Sequence, residues 1–251
     1  VIEEFLPGEE VSLLAFTDGK ICLPLLPVQD HKRIGEGDTG PNTGGMGAYT
    51  PADHLVTPPI MERIQHRILD PTLVALQQRG IAYVGILYAG LMISPAGDPY
   101  VVEFNCRFGD PETQVLLPLL KTPLDQVMLA CATGRLAQIQ LEWQPGHAAC
   151  VVMACRGYPD HYERGNRISG LDQAAATGAL VFHAGTRSAG AGSPHECVTD
   201  GGRVLCITGR GESLSLALEQ AYAAVRSIHF DGAYYRSDIG FKALKKEAAG
   251  S

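Results

Sequence analysis

Residues 102–112 read VEFNCRFGDPE, an acid, an amide and a guanidinium alternating with apolar residues. Side chains of a strand point to opposite faces in turn, so Glu103, Asn105 and Arg107 share one face, each about 6.6 Å from the next. Val102, Phe104, Cys106 and Phe108 share the other, which is expected to pack a core. A solvated edge strand can show the same alternation. Here the polar positions carry no Lys, Ser or Thr, but three groups suited to a metal ion and its polyphosphate. A carboxylate and an amide oxygen suit Mg²⁺, a hard cation that completes its shell with phosphate and water. A guanidinium one step further along holds a phosphoryl oxygen or a carboxylate in a bidentate pair. These are parts of a phosphoryl-transfer site, where positioning and charge neutralisation supply most of the catalysis.

Working outward, residues 81–94 read as a strand, 95–99 as a turn and 100–105 as its return. Residues 10–28 alternate around Asp18-Gly19, a good hairpin turn. Between these lies QDHKRIGEGDTGPNTGGMGAY, residues 29–49, rich in Gly and Pro and without hydrophobic period: a long, shaped loop of the kind that carries function. Thr57-Pro58 starts a helix whose Ile60, Ile64 and Ile68 mark one face; Pro71 should bend or divide it, and Gly80 should end it. Helices are expected over 112–120 and 124–133, the latter closed by Gly134. After about His147 the texture changes to short strands at 148–154, 179–185 and 203–208. A last amphipathic helix then follows Ser213, with Leu214, Leu218, Ala221, Val225 and Ile228 inward. The lone Trp143 falls at the expected boundary, and no internal repeat is evident.

The chain of 251 residues, 45% hydrophobic and 19% charged, can bury a core in one or two domains. A formal charge of -7 argues against a broad nucleic-acid surface but not against a local basic pocket. No apolar run reaches the length of a membrane span. Seven cysteines, without CxxC pairs or zinc spacing, read as reduced core thiols of a cytoplasmic protein rather than as nucleophiles. His31 lies in a motif and is a candidate for substrate contact, whereas His147, His161 and His183 read as structural or exposed. The opening VIEEFLPGEE already looks like part of an element. The backbone of residues 2–6 suits the edge of an adenine, and Glu10 suits ribose hydroxyls, although Glu9 and Glu10 also read as solvated charges.

IEEFLPGEEVS, QDHKRIGEGDTGPNTGGMGAY, YVGILYAGLMI, VEFNCRFGDPETQ, GGRVLCITGRG and YYRSDIG together resemble the phosphoribosylamine–glycine ligase family (glycinamide ribonucleotide synthetase) of the ATP-grasp superfamily. The resemblance implies an α+β chain. Residues 1–145 would form the C-terminal part of an ATP-grasp domain, an antiparallel sheet with helices; residues 146–251 would form a small mixed, β-rich domain. It implies that ATP phosphorylates glycine and that 5-phosphoribosylamine attacks the glycyl phosphate, in purine biosynthesis, with Mg²⁺ or Mn²⁺.

By the same resemblance Glu103 and Asn105 hold the metal. Glu3, Phe5 and Leu6 meet adenine, and Glu10 meets ribose. Arg107 and Lys32 are the catalytic cations, Arg107 beside the transferred phosphoryl group. Asp30, His31, Lys32, Arg33, Asn42, Thr43, Gly44, Gly45 and Met46 face phosphoribosylamine, the 42–47 turn offering successive N–H groups as an anion nest. Asp110 and Glu112 receive the glycine ammonium, or Asp110 caps the following helix. Where many relatives place another acid, this chain has Gly90 and Leu91, implying a sparser protein shell for the metal.

The family's N-terminal substrate domain and ATP lid are expected outside these residues, as a partner portion of the same enzyme. The isolated chain is therefore expected to be inactive. The alternatives are a non-catalytic fragment or another ATP-grasp carboxylate–amine ligase. Neither nucleic acid nor membrane is an expected partner.

Overall fold

A computed structural model describes residues 2, 4–190 and 196–250, apart from the side chains of residues 247, 249 and 250. Two antiparallel sheets organise it. The first runs in the order Cys22–Pro24, Glu9–Asp18, Val84–Ile93, Pro99–Asn105. The Asp18-Gly19 hairpin forms as its residues dictate: Gly19 takes φ +85°, and Asp18 Oδ1 accepts the N–H groups of Lys20 and Ile21. Both inner strands are buried on both faces. Val11, Leu13, Leu87 and Leu91 pack with Ile64, Leu69 and Leu73 of a helical layer. Leu14, Phe16, Ile86 and Tyr88 pack with Val115, Leu116 and Val127 on the other side. In the first helical layer Pro71 does not divide the run. Its missing N–H and bulky ring are accommodated by a wider π turn, Gln65–Leu69, between helices Pro58–Ile64 and Asp70–Gln78.

Strand Pro99–Asn105 is the edge of this sheet, and here one expectation fails. Val102 and Phe104 are 44% and 42% exposed, and Cys106 is exposed as well. Only Phe108 packs inward as expected, edge-on to Phe16 at 6.2 Å. The edge strand has a neighbour on one side only, and the pairing steps from Gly90↔Glu103 to Leu91↔Val101, so Val102 is an extra, bulged residue that breaks the alternation.

The second sheet runs Leu180–His183, Arg203–Gly211, His147–Cys155, Gly47–Thr50, Gln29–Asp30, with Ala233–Tyr234 also paired to His147–Cys155. Strands from the two ends of the 29–49 loop thus sit beside a strand about a hundred positions later, and a Ser12↔Val28 bridge ties the two sheets together. Helix Leu214–Val225 buries Leu214, Leu218, Ala221 and Val225 as expected, and Ser213 caps it by accepting the Leu216 N–H at 3.3 Å. It is not the last helix: Phe241–Gly250 follows. Phe241, Leu244 and Ala248 form a short apolar stripe on one face of FKALKKEAAG that sequence reading passed over. The helix is held by Ala243, which is buried, and by Phe241, whose ring meets His31 at 6.1 Å.

The YYRSDIG motif does its work in this layer. Arg236 is fully buried, bonded to Asp38 at 2.8 Å, to both oxygens of Asp238 at 2.8 Å and to the Arg33 carbonyl at 3.0 Å. Burial opposes its charge, but these partners outweigh burial and raise its pKa. The first part of the 29–49 loop is thereby fastened to the C-terminal layer.

Candidate active site

A cleft of about 330 Å³ opens between the end of the first sheet, the 42–44 turn and the Asp110–Glu112 turn; Glu10, Asp30, Lys32, Asn42, Thr43 and Gly44 line one part of it. Glu103, Asn105, Arg107, Asp110 and Glu112 line the rest, together with Tyr88 and Val102. Five carboxylates face two cations. Such a wall favours cationic occupants and needs a metal before it can accept polyphosphate.

At the outer end Glu103 and Asn105 stand on the same side of the edge strand, Asn105 Nδ2 3.1 Å from Glu103 Oε1. Turning the amide over presents its oxygen instead. Among the described residues no group of three or more His, Cys, Asp or Glu side chains could hold a metal ion. The donor set on offer is therefore one carboxylate and one amide oxygen, hard donors that fit Mg²⁺ or Mn²⁺ with phosphate and water as further ligands. Gly90 lies opposite Glu103, and a Cβ there would come within 3.1 Å of Glu103 Cγ. That position is small because Glu103 lies across it. Arg107 is exposed and donates to the Phe108 carbonyl at 2.9 Å.

The inner end is built differently. Glu112 is buried, and its Oε1 accepts the hydroxyls of Ser12 and Tyr88, each at 2.9 Å. Burial and the Glu112 charge raise the Tyr88 pKa, which keeps the phenol protonated as a donor. Asp30 Oδ1 is buried with no hydrogen-bond partner among the described residues. Burial first, and then the charge of Glu112, push the Asp30 carboxyl up to about 7, against the pull of Lys32. Burial works against the Lys32 ammonium, but Asp30 and Glu10 more than compensate and hold its pKa up. Lys32 Nζ is 3.4 Å from Glu10 Oε2.

Several expected residues lie elsewhere. His31 is buried beside the cleft and its Nε2 accepts the Gly240 N–H at 3.1 Å. Burial and the Arg236 charge push its pKa down to about 4, so it is neutral at pH 7. Met46 is a core residue. Arg33 points to the Gly40 carbonyl at 2.6 Å. Phe5 is 88% exposed, and neither it nor Leu6 lines the cleft. Glu3 lies outside the described residues.

The anion nest does not form. The N–H groups of Thr43, Gly44, Gly45 and Met46 go to the Lys32 carbonyl, Tyr158 Oη, Thr43 Oγ1 and the His31 carbonyl, at 2.7, 2.9, 2.9 and 2.8 Å. A turn with its donors already engaged offers shape and side chains instead. Asp110 caps no helix; the next begins at Thr113 without a side-chain cap. Its carboxylate instead meets Arg203 and Gln114. Sequence reasoning missed Ser12, Tyr88, Tyr158 and Arg203. Ser12 and Tyr88 left a faint signal, as the polar atoms in two apolar runs, 11–16 and 84–93.

A family model for the ATP-grasp (A) domain of phosphoribosylglycinamide synthetase matches residues 1–113, and one for its C domain matches residues 148–242. The chain belongs to the phosphoribosylglycinamide synthetase family. It is 58% identical over 243 residues to the phosphoribosylamine–glycine ligase of a Nostoc species, covering 96% of this chain and 56% of that protein. Against the Synechocystis enzyme of the same name it is 56% identical over 245 residues, covering 97% and 57%. The crystal structure of the Thermotoga maritima phosphoribosylamine–glycine ligase superposes with a TM-score of 0.83 at 38% identity, over 94% of this chain and 56% of that one. The chain thus spans a little over half the length of the relatives it matches.

The urea carboxylase of Kluyveromyces lactis, at 13% identity and a TM-score of 0.64 over 96% of this chain and 21% of that one, shares the fold alone. The architecture is the antiparallel, mixed α/β arrangement expected of an ATP-grasp protein of the synthetase family.

Proposed function

We propose that this chain carries the metal-bearing and acyl-transfer part of a ligase that joins glycine to 5-phosphoribosylamine at the expense of ATP. The observation that carries this reading is the division of one acidic cleft into an exposed end, Glu103 with Asn105, and a buried end, Asp30 with Glu112. Glu103 and Asn105 would hold Mg²⁺ or Mn²⁺. The metal would neutralise phosphate charge and polarise the transferred group.

A glycine carboxylate oxygen attacks the γ-phosphorus and ADP leaves, giving glycyl phosphate. The amine of phosphoribosylamine then attacks the carbonyl carbon, loses a proton, and phosphate departs with the bonding pair. Arg107, free to swing on its exposed stem, supports the phosphoryl oxygens. The glycine ammonium fits between Asp30 and Glu112, where an orphaned carboxylate oxygen awaits a donor. Lys32, Asn42 and Thr43 face the phosphate and ribose of the amine substrate through side chains. Glu10 reaches ATP ribose by leaving Lys32, and Phe5 and Leu6 form one wall for adenine.

We further assign residues 1–145 to the ATP-grasp part and 146–251 to the C-terminal part, in line with the two family matches. The proposed biosynthetic role goes with a cytoplasmic location, in keeping with seven free thiols, five of them buried. Separately, no described helix is long and apolar enough to cross a membrane.

The test is titration of this chain with Mg·ATP, then ADP release with glycine and phosphoribosylamine. It is run on the chain alone and on the chain joined to the N-terminal portion of the Nostoc relative. The expected result is ADP release from the joined protein that requires both substrates, with one amide formed per ADP, and none from the chain alone. ADP release indifferent to glycine, or preference for another amine, overturns the reading; turnover by the chain alone overturns the need for a partner portion.

A further inference from the structure

Arg203 opens strand Arg203–Gly211, where the ladder slips: Arg203 pairs with Ala154 but Leu205 with Met153, leaving Val204 extra. A bulge of this kind re-aims the side chain beside it. Here it sends the guanidinium, with only 20% of the side chain exposed, between two turns of the cleft. Nη1 reaches the Gly44 carbonyl at 2.7 Å, the Asp110 carbonyl at 2.9 Å, Asp110 Oδ1 at 3.3 Å and the Gly45 carbonyl at 3.4 Å. Nη2 meets Asp110 Oδ2 at 3.2 Å. Five acceptors on two turns therefore share one guanidinium. Arg203 does not itself line the cleft.

The turns are shaped around this contact. A Cβ on Gly44 would lie 2.8 Å from Arg203 Cζ, and a Cβ on Gly45, at φ +112°, would lie 2.4 Å from Pro111 Cδ. The paired glycines thus let the 42–45 turn touch both the guanidinium and the Asp110–Glu112 turn. From the same C-terminal half, Tyr158 Oη accepts the Gly44 N–H at 2.9 Å. Both polar groups of Gly44 are therefore fixed from outside the first sheet.

We infer that Arg203 is a positioning residue, which holds the turn facing the amine substrate at a fixed distance from the turn facing glycine. The inference rests on the proposed ligation. One turn presents Asn42 and Thr43, the other Asp110 and Glu112, and the new bond forms between the molecules they hold. A clamp that sets this spacing matters most when the amine must reach the acyl phosphate, and little when ATP and glycine react alone. A misplacement of about 1 Å can cost about 10²-fold in rate.

The experiment compares wild type, Arg203→Lys and Arg203→Ala in the chain joined to the N-terminal portion of the Nostoc relative, with two activity readouts and one that needs no substrate. Amide formation with phosphoribosylamine is expected to fall about 10²-fold in Arg203→Ala. Glycine-dependent ADP release with hydroxylamine as trap should fall less than about threefold, with KM for ATP unchanged. Added guanidinium should restore part of the loss, and Arg203→Lys should lie between, since an ammonium cannot span both turns. Hydrogen exchange of the segments containing residues 43–46 and 109–113 should rise at least tenfold in Arg203→Ala.

Equal losses in both reactions overturn the positioning role in favour of general destabilisation, and unchanged amide formation overturns it outright. Should wild type show no glycine-dependent turnover, the functional reading falls alone, and the clamp is then judged by exchange: unchanged protection in Arg203→Ala overturns it.

Discussion

The two ends of the cleft use the same chemical group for opposite purposes. At the outer end Glu103 stands on an exposed edge strand with the Asn105 amide beside it. At the inner end Glu112 is buried under two hydroxyl donors, and Asp30 has a buried oxygen without a hydrogen-bond partner among the described residues. A carboxylate in reach of water suits a cation that keeps much of its own hydration, as Mg²⁺ does. A buried carboxylate is costly unless a cation arrives that has shed its water and can donate in several directions. A primary ammonium has three such donors. The difference is what supports the proposed division, metal and phosphate at the outer end and the amino acid at the inner one, which the count of acids alone does not suggest.

The sharpest way to break this comparison is at the outer end. Glu103→Gln in the chain joined to the N-terminal portion of the Nostoc relative should lower turnover by about 10²–10³-fold. The thermal midpoint should barely move, because the side chain is exposed and Gln keeps the stem that rests on Gly90. Steady-state ADP release across a Mg²⁺ titration measures it. Near-normal turnover at saturating Mg²⁺ would remove Glu103 from the metal.

At the inner end the same kind of substitution should behave differently. If the proposed site is right, Asp30→Asn removes one partner of the glycine ammonium, a loss of about 1.5–3 kcal/mol for a charge-assisted bond. The KM for glycine should therefore rise roughly ten- to a hundredfold, with KM for ATP unchanged. The substitution should also stabilise the ligand-free protein. The Asp30 carboxyl is raised to about 7 in the folded state, against about 3.9 for an unperturbed Asp. Its ionisation penalises the fold increasingly as pH rises from about 4 to about 7. Asn carries no such penalty, so the variant should gain on wild type at pH 8 and lose that advantage near pH 4. Urea midpoints at the two pH values decide the matter, and a variant less stable at pH 8 would show that Asp30 has a partner in the free protein.

The outer end was legible in the sequence because Glu103 and Asn105 sit on one strand, where period-two alternation reports geometry directly, although Arg107 falls just past the end of that strand. The same rule misled at Val102 and Phe104, since a bulge and an uncovered edge are properties of pairing rather than of composition. The inner end was only half legible. Asp30 and Glu112 lay inside recognisable motifs, but Ser12 and Tyr88 reach Glu112 only through the register of strands Glu9–Asp18 and Val84–Ile93. Arg203 was invisible for a similar reason: it reads as the start of a core strand, and a one-residue slip in the ladder aims it at the cleft. The anion nest failed because Gly-rich composition shows where a turn can form, not which of its N–H groups remain free.

The smallest effect expected is the most specific to the comparison. Ammonium binding favours the ionised form of Asp30, whose charge is opposed by burial and by Glu112 and Glu10 and supported by Lys32. On the proposed reading, glycine binding below about pH 7 would have to displace a proton from this carboxyl. The KM for glycine should therefore rise as pH falls, by about tenfold between pH 8 and pH 6 if only the ionised form binds. Glycine keeps its ammonium across this window, so the dependence belongs to the protein. In Asp30→Asn the profile should be flat and high. A wild-type profile that is also flat would mean that the buried oxygen is satisfied by something other than substrate. The ammonium would then have to be placed at Glu112 and Asp110 alone, even though the Asp110 carboxylate already meets Arg203 at 3.2 Å.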